Sequence, residues 1–235
     1  MNKDIAIMQP YFMPYMGYWQ LINAVDTFVL YDNIQFSKKS WFHRNYVLLN
    51  GQKNLFSIPL KKDMDNLNVA DRFLANESQT QIKKILAQIE NNYKKAPYFN
   101  NVFFLIKNIF KYNEKNLFKY IYNSIIQICD YLDLETRIVI SSSIDINHSL
   151  KAKEKVMAIN KALNSTQYIN SIGGLELYEK NVFQKENIKL KFLKSEIAKY
   201  KQFNNEFIPY LSIIDIMMFN SKDDIKKMLL KYNLT

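Results

Sequence analysis

One cysteine, two histidines and four glycines in 235 residues close off several kinds of chemistry. A single thiol cannot form an internal disulfide, and Cys129 sits among Ile125, Ile126, Ile128 and Leu132, where it reads as a small buried hydrophobe of a reducing cytosol. His43 and His148 have no Cys, His or carboxylate partner at metal-ligand spacing, so no metal motif is present. No local run assembles a serine-histidine-aspartate triad either. No apolar stretch approaches the roughly 20 residues that cross a bilayer. The N-terminus lacks an apolar signal core with a small-residue cleavage site, and a cytoplasmic protein is expected. Repeats and low-complexity linkers are missing, so the expected organisation is one α/β domain over 1–235, with a helical insertion or layer at about 76–134.

Acidic residues are the other shortage. Twenty-two Asp and Glu stand against 32 Lys and Arg, giving a formal charge of +10 and a pI near 9.4. This balance favours polyanionic partners. The lysines are spread along the chain and no RNA- or DNA-binding motif is readable, so steering of a phosphorylated small molecule is the more economical use, and DNA is not an expected partner.

What the chain does have is concentrated in 4–45. Apolar runs at 5–8 and 28–30 flank a segment with Tyr18, Leu21, Ile22 and Val25 at helical spacing, which parses as strand, helix and parallel strand with a right-handed crossover. Pro10, Pro14 and Gly17 punctuate the first connection. Asp32, Asn33, Gln35, Lys38, Lys39, His43, Arg44 and Asn45 follow the second strand, where open parallel sheets bind ligands. Further along, 46–49 and 55–60 around Asn50-Gly51 read as a hairpin with a type I′ turn. Three helical periods lie between 78 and 134. A strand at 137–140 runs into Ser141-Ser142-Ser143, either a phosphate-binding run or a loop and helix cap. A helix at 149–163 follows, then a strand at 167–170, Gly173-Gly174, a helix at 175–184 and a strand at 190–193. The chain closes with an apolar helix over 207–220.

Individual residues carry competing readings. Gln9, ending the first strand, can present an acceptor and two donors to a sugar, ribose or carboxylate, or satisfy the loop after it. Tyr11, Tyr15 and Tyr18 form either a stacking wall or core. Asp32 is the candidate base, Gln35 a substrate anchor, and Arg44 a bidentate partner for phosphate or carboxylate. Gly173 and Gly174 would let a ligand approach backbone amides, or would only make a tight turn. Asp215, among Ile213, Ile214, Ile216, Met217 and Met218, must be paired if buried; it would hold a lysine or arginine of the site, or face solvent.

The segments QPYFMPYMGYWQLINAVDTFVLYDNIQF, KKSWFHRN, APYF at 96–99, YINSIGGLELY at 168–178 and FIPYLSIIDIMMFN together resemble the WbqC-like protein family, in the family's order and over almost the whole chain. That resemblance implies a role in O-antigen and other surface-polysaccharide (lipopolysaccharide) biosynthesis, often beside enzymes of amino-deoxy sugars. The opening also resembles, more distantly, nucleotidylyltransferases such as pantothenate synthetase. Tyr15-Met16-Gly17-Tyr18 stands in the place of their His-x-Gly-His element, and Gln35-Phe36 in that of their Gln-Phe pair. This second likeness implies a Rossmann-like parallel sheet with helices on both faces, a small hairpin and a helical insertion. It also implies amide formation through an activated carboxylate. Two phenols cannot supply the positive charge of imidazolium, so a donor activated elsewhere is one route and ATP with other cations the alternative.

The expected function is therefore transfer of an acyl or aminoacyl group, such as glycyl, to the amine of a nucleotide-linked amino sugar such as a dTDP-amino sugar. Asp32 takes the amine proton, with Tyr15 and Tyr18 in the catalytic place. Gln9, Gln35 and Tyr11 orient the substrate, Lys39 and Arg44 hold phosphate, Asn45 binds the substrate beside them, and Gly173 and Gly174 receive a second phosphate or the donor. No cofactor is fixed by the residues; ATP or an aminoacyl-tRNA is the donor chemistry implied, which makes tRNA a partner. The alternatives are a non-catalytic nucleotide-sugar-binding or assembly protein of the same pathway and an RNA-binding protein. The oligomeric state is open.

Overall fold

The computed structural model describes residues 3–204 and 206–235. The first three elements follow the apolar pattern: strand β1 (Asp4–Met8), helix α1 (Met16–Asn23) and strand β2 (Thr27–Leu30). A hairpin of β3 (Arg44–Leu49) and β4 (Gln52–Ser57) comes next, then helices α2 (Ser78–Tyr93), α3 (Phe99–Phe110) and α4 (Leu117–Leu132). The second half comprises β5 (Arg137–Ile140), α5 (Ala152–Ala162), β6 (Gln167–Ser171), α6 (Lys180–Gln184), β7 (Lys189–Ser195), α7 (Ile213–Phe219), α8 (Lys222–Leu229) and β8 (Tyr232–Leu234). In the hairpin, Asn50 and Gly51 have φ of 51° and 73°, the double left-handed geometry that the type I′ turn requires.

Six strands form one sheet in the order β5-β2-β1-β6-β7-β8, parallel except for β8. Counted along the sheet's own strands, this is the 3-2-1-4-5-6 order of a doubly wound fold. Alternation along the strands sends side chains to two separate cores. Ala6, Phe28, Leu30, Ile169 and Leu193 join the core of α1, α7, α8 and the inner faces of α2, α3 and α4. Ile5, Ile7, Val29, Tyr168, Leu190 and Phe192 face the opposite way, against Val156 and Ile159 of α5 and Phe183 of α6. Both faces are thus covered, as a parallel sheet demands. Cys129 is buried in the first core, and burial pushes its thiol up to about 12, far from a reactive thiolate.

Two expected helices are shorter than their apolar content suggested. In place of a helix over 175–184, a 3-10 turn at Ile172–Gly174 leads into a short α6. Leu175 and Leu177 lie two residues apart and are both exposed, so no helical face is there to bury. The final apolar segment is helical only from Ile213, because Pro209 and a left-handed Tyr210 (φ 58°) precede Ser212, whose hydroxyl caps α7 at Ile214 N. Among the described residues, no helix is long and apolar enough to cross a membrane.

Candidate functional site

Chain direction in the sheet creates a topological switch point between β1 and β6. From β1 the chain builds outward through β2 and β5, and α5 then returns it to β6 on the other side of β1. Those neighbours pair only at Asp4↔Gln167 and Ile5↔Tyr168, whereas β1 and β2 stay in register through Met8↔Leu30. The two strands splay toward their carboxyl ends. A crevice of about 360 Å3 opens there, lined among others by Gln9, Tyr11, Tyr31, Asn170, Gly173 and Gly174. This is the place where doubly wound sheets hold their ligands.

The crevice floor is arranged by short-range hydrogen bonds. The Tyr18 hydroxyl donates to the Gln9 carbonyl at 2.9 Å, and the Tyr11 hydroxyl donates to Gln9 Oε1 at 3.1 Å, while the Gln9 amide hydrogens have no hydrogen-bond partner among the described residues. Burial raises the pKa of Tyr11 and lifts that of Tyr18 well above the ordinary phenol range, so both are neutral donors. On the opposite wall, Asn170 Oδ1 accepts the Ser171 backbone N–H at 2.7 Å. A Cβ on Gly174 would stand 2.7 Å from Asn170 Nδ2, so this glycine is what allows the turn to close over Asn170.

A second polar group lies at the ends of β2 and β5. Asp32 is buried, accepts the Ser142 backbone N–H at 2.9 Å, and does not line the crevice. Asn33 bridges the Ser141 hydroxyl at 2.6 Å and His148 Nδ1 at 3.0 Å. Lys155 of α5 is buried beside them. Its ammonium lies 5.1 Å from the Tyr31 ring centroid and donates to the His148 carbonyl at 3.3 Å. Desolvation lowers the Lys155 pKa while the charge of Asp32 opposes the shift. The serine run therefore closes a strand-end loop around Asp32 and Asn33.

The remaining candidates divide between scaffold and a second cleft. Arg44 donates from Nε to the Ser40 carbonyl at 3.1 Å and from an Nη to the Lys39 carbonyl, so it braces the loop carrying the exposed Lys39. Gln35 is exposed and donates to the Asp65 carbonyl at 3.2 Å. His43 is held by the Ile58 carbonyl and the Ser57 hydroxyl; burial lowers its pKa, and the charges of Arg44 and Arg72 push the same way. Tyr15 turns from the crevice to meet Tyr210 edge-on, with ring centroids 6.1 Å apart. Asp215 is fully buried and accepts from Tyr93, Tyr200 and Gln202 at 2.6 to 2.8 Å, and among the described residues no lysine or arginine is paired to it. The structure thus brings Gln9, Tyr11, Gly173 and Gly174 together, with Tyr18 beneath them and Asp32 off the wall. Gln35, Lys39, Arg44, Tyr15 and Asp215 stand elsewhere.

Asn45 is the pin of the proline loop. Its Nδ2 donates to the carbonyls of Phe12 (3.2 Å) and Met13 (2.8 Å), its Oδ1 accepts from Tyr46 N, and Met13 is held left-handed at φ 50°. The Ser212 hydroxyl donates to the same Met13 carbonyl at 2.7 Å, which ties α7 to the loop. Asn45→Asp turns two donated bonds into carboxylate-carbonyl repulsion in a buried position. We expect it to cost about 2–3 kcal/mol, read by denaturant unfolding; a loss below about 0.5 kcal/mol, the size of an ordinary surface substitution, would show that the loop does not depend on this side chain.

The fold defines a doubly wound α/β protein with a crevice at the switch point. The sequence pattern of the WbqC-like protein family matches residues 9–227, and the chain belongs to that family. It is 24% identical over 223 residues to the uncharacterized protein Rv1507c of Mycobacterium tuberculosis, covering 92% of this chain and 93% of that one. No solved structure matches the chain.

Proposed function

We propose that this protein is a transferase of surface-polysaccharide synthesis that joins an activated acyl or aminoacyl group, such as glycyl, to the amine of a nucleotide-linked amino sugar. The observation carrying this reading is the splayed crevice between β1 and β6, with the free Gln9 amide on one wall and Asn170, Gly173 and Gly174 on the other. Amides and exposed backbone suit sugar hydroxyls and phosphate together. In the reaction, the amine nitrogen attacks the acyl carbonyl carbon and the bond to the carrier breaks. The carrier leaves with the electron pair and takes up the surplus ammonium proton. Neutral Tyr11 and Tyr18 support a donor activated elsewhere over adenylation by this chain, because neither phenol can neutralise a developing phosphate charge.

The test is mass spectrometry of the nucleotide-linked 4-amino sugar after incubation with the protein and ATP plus glycine, glycyl-tRNA or an acyl thioester in separate reactions. An amide is expected with a preactivated donor. Amide formed with ATP and glycine alone would overturn the preactivated route. A second reading, a nucleotide-sugar-binding protein without catalysis, is favoured by one specific observation: Asp32 is buried, anchored by Ser142 and off the crevice wall. Tight binding of the sugar with no amide from any donor would decide for it.

A further inference from the structure

On the other side of Tyr11 lies a separate cleft of about 190 Å3, built where the proline loop, β3, β4 and the segment before α7 meet. Main-chain bonds set its walls: Ser212 N donates to the Tyr46 carbonyl at 2.8 Å, and Ile213 N to the Pro14 carbonyl at 3.0 Å. Its lining includes Tyr11, Tyr15, Trp41, Tyr46, Tyr210 and Lys53. Packing alone does not account for these rings. Tyr210 is 57% exposed and Tyr15 36%, and the left-handed backbone at Tyr210 sits at the cleft wall itself.

Charge narrows the ligand. The Lys53 ammonium lies 4.3 Å from the Tyr46 centroid and the Arg44 guanidinium 5.5 Å from that of Trp41. No carboxylate lines the cleft, and among the described residues neither cation is within ion-pair distance of one. The amide of Asn45, also in the lining, is spent on the Phe12 and Met13 carbonyls and Tyr46 N. A site for a neutral sugar would need such an amide or a carboxylate free for the hydroxyls. Clustered rings, Tyr210 among them well exposed, beside cations that no acid neutralises instead match a planar base carrying phosphate.

We propose that this aromatic cleft binds the nucleotide end of the activated donor, a nucleobase stacked among Trp41, Tyr46 and Tyr210 with its phosphate toward Lys53. The proposal rests on the transfer reading and deepens it. Tyr11 lines both the cleft and the crevice and bonds Gln9 Oε1, so two ligands would meet at Tyr11, one from each side. The same chemistry is offered by a small adenylate and by the 3′-terminal nucleotide of a tRNA.

Trp41 provides the readout, since Trp19 is fully buried beneath the proline loop. Adenosine monophosphate and a single-stranded RNA ending in CCA are each titrated into the protein, with glucose as the neutral control. Saturable quenching by one or both nucleotide probes is expected, weakened roughly tenfold or more by Tyr210→Ala, as loss of a stacking face implies. Lys53→Ala should weaken it and flatten its salt dependence. Binding of the nucleotide-linked amino sugar, followed by calorimetry, should be unchanged by Tyr210→Ala. A much tighter fit of the RNA assigns the donor to tRNA, and equal affinity assigns it to a small adenylate. Absence of quenching by both probes, quenching indifferent to Tyr210→Ala and Lys53→Ala, or equal quenching by glucose would overturn the assignment. Failure of the transfer reading looks different: no amide from any donor, with the quenching intact.

Discussion

Replacing Asp215 by alanine should destabilise the protein by about 3–5 kcal/mol, the sum of leaving two or more buried donors unsatisfied at about 1–3 kcal/mol each. At roughly 2–4 °C per kcal/mol for a chain of this size, the melting temperature should fall by about 6–20 °C. The carboxylate sits at 0% exposure on α7 and takes hydrogen bonds from Tyr93 of α2 at 2.7 Å, Tyr200 at 2.6 Å and Gln202 at 2.8 Å. Tyr93 in turn accepts from Leu48 N of β3 at 2.7 Å, and Gln202 Oε1 accepts from Ile208 N. Alanine would leave the Tyr200 hydroxyl and the Gln202 amide without their acceptor and loosen three segments at once. Combining Asp215→Leu with Tyr200→Phe should recover part of the loss, because that donor and its acceptor then leave together, whereas Tyr93 must stay to accept from Leu48 N. Should the single alanine variant melt within 2 °C of the parent, the network is not what holds α7 in place.

The same carboxylate gives a pH signature. Burial raises its pKa above the ordinary 3.8, and the three donated bonds only partly offset this. The fold therefore favours the protonated form. Stability from this group is complete below 3.8 and is lost as pH rises through the raised folded value. Measured against Asp215→Asn, which does not titrate, the parent should lose relative stability over that window and then level off. A difference that grows with rising pH would mean that the three donors outweigh desolvation.

Much of the fold was legible because period and punctuation agreed. The strand-helix-strand opening, the Asn50-Gly51 turn and the three helical faces between 78 and 134 all stand as the apolar spacing required. The errors share a cause: apolar content was read as helix where spacing and backbone chemistry argued otherwise. Leu175 and Leu177 serve no helical face, and Pro209 with Tyr210 holds back the last helix until Ser212 caps it. Helix α8 is short, but it carries its own signals: Ser221 caps it through Asp224 N, and Ile225, Met228 and Leu229 form its apolar stripe. The antiparallel pairing of β8 with β7 is a matter of tertiary fit and had no local signal.

The site was legible in half. Gln9 and Gly173-Gly174 were found as polar or glycine punctuation after strands, and the switch point brings them to one crevice from far apart in the chain. Asn170 had the same signal, a polar residue ending an apolar strand. Lys155 had one too, being four residues before the inward Ile159 on the same face of α5. The aromatic cleft could not be read, since Trp41, Tyr46, Lys53 and Tyr210 come from four separate segments and only β3-β4 pairing and the docking of Ser212 on Tyr46 gather them. Asp215 shows how a buried acid can be satisfied by tyrosine and glutamine donors, with no cation beside it among the described residues.

The adjacent glycines offer the sharpest separation of scaffold from ligand contact. A Cβ on Gly174 would meet Asn170 Nδ2 at 2.7 Å, so Gly174→Ala must displace the amide that holds Ser171 N, at a cost of about 1–3 kcal/mol typical of overpacking. Gly173 lines the same crevice, but a Cβ there meets only Ser171 Oγ, at 3.9 Å, and its backbone is not left-handed. Gly173→Ala should therefore leave the fold as stable as the parent, or up to about 1 kcal/mol more so by restricting the unfolded chain. If phosphate or sugar approaches the backbone here, that methyl group occupies the space it needs, and nucleotide-sugar affinity should fall roughly tenfold, about the loss of one good contact. Calorimetric titration alongside thermal melts separates the two effects. A Gly173→Ala protein that binds as well as the parent would move the ligand away from this turn and toward the Gln9 wall, whatever its stability.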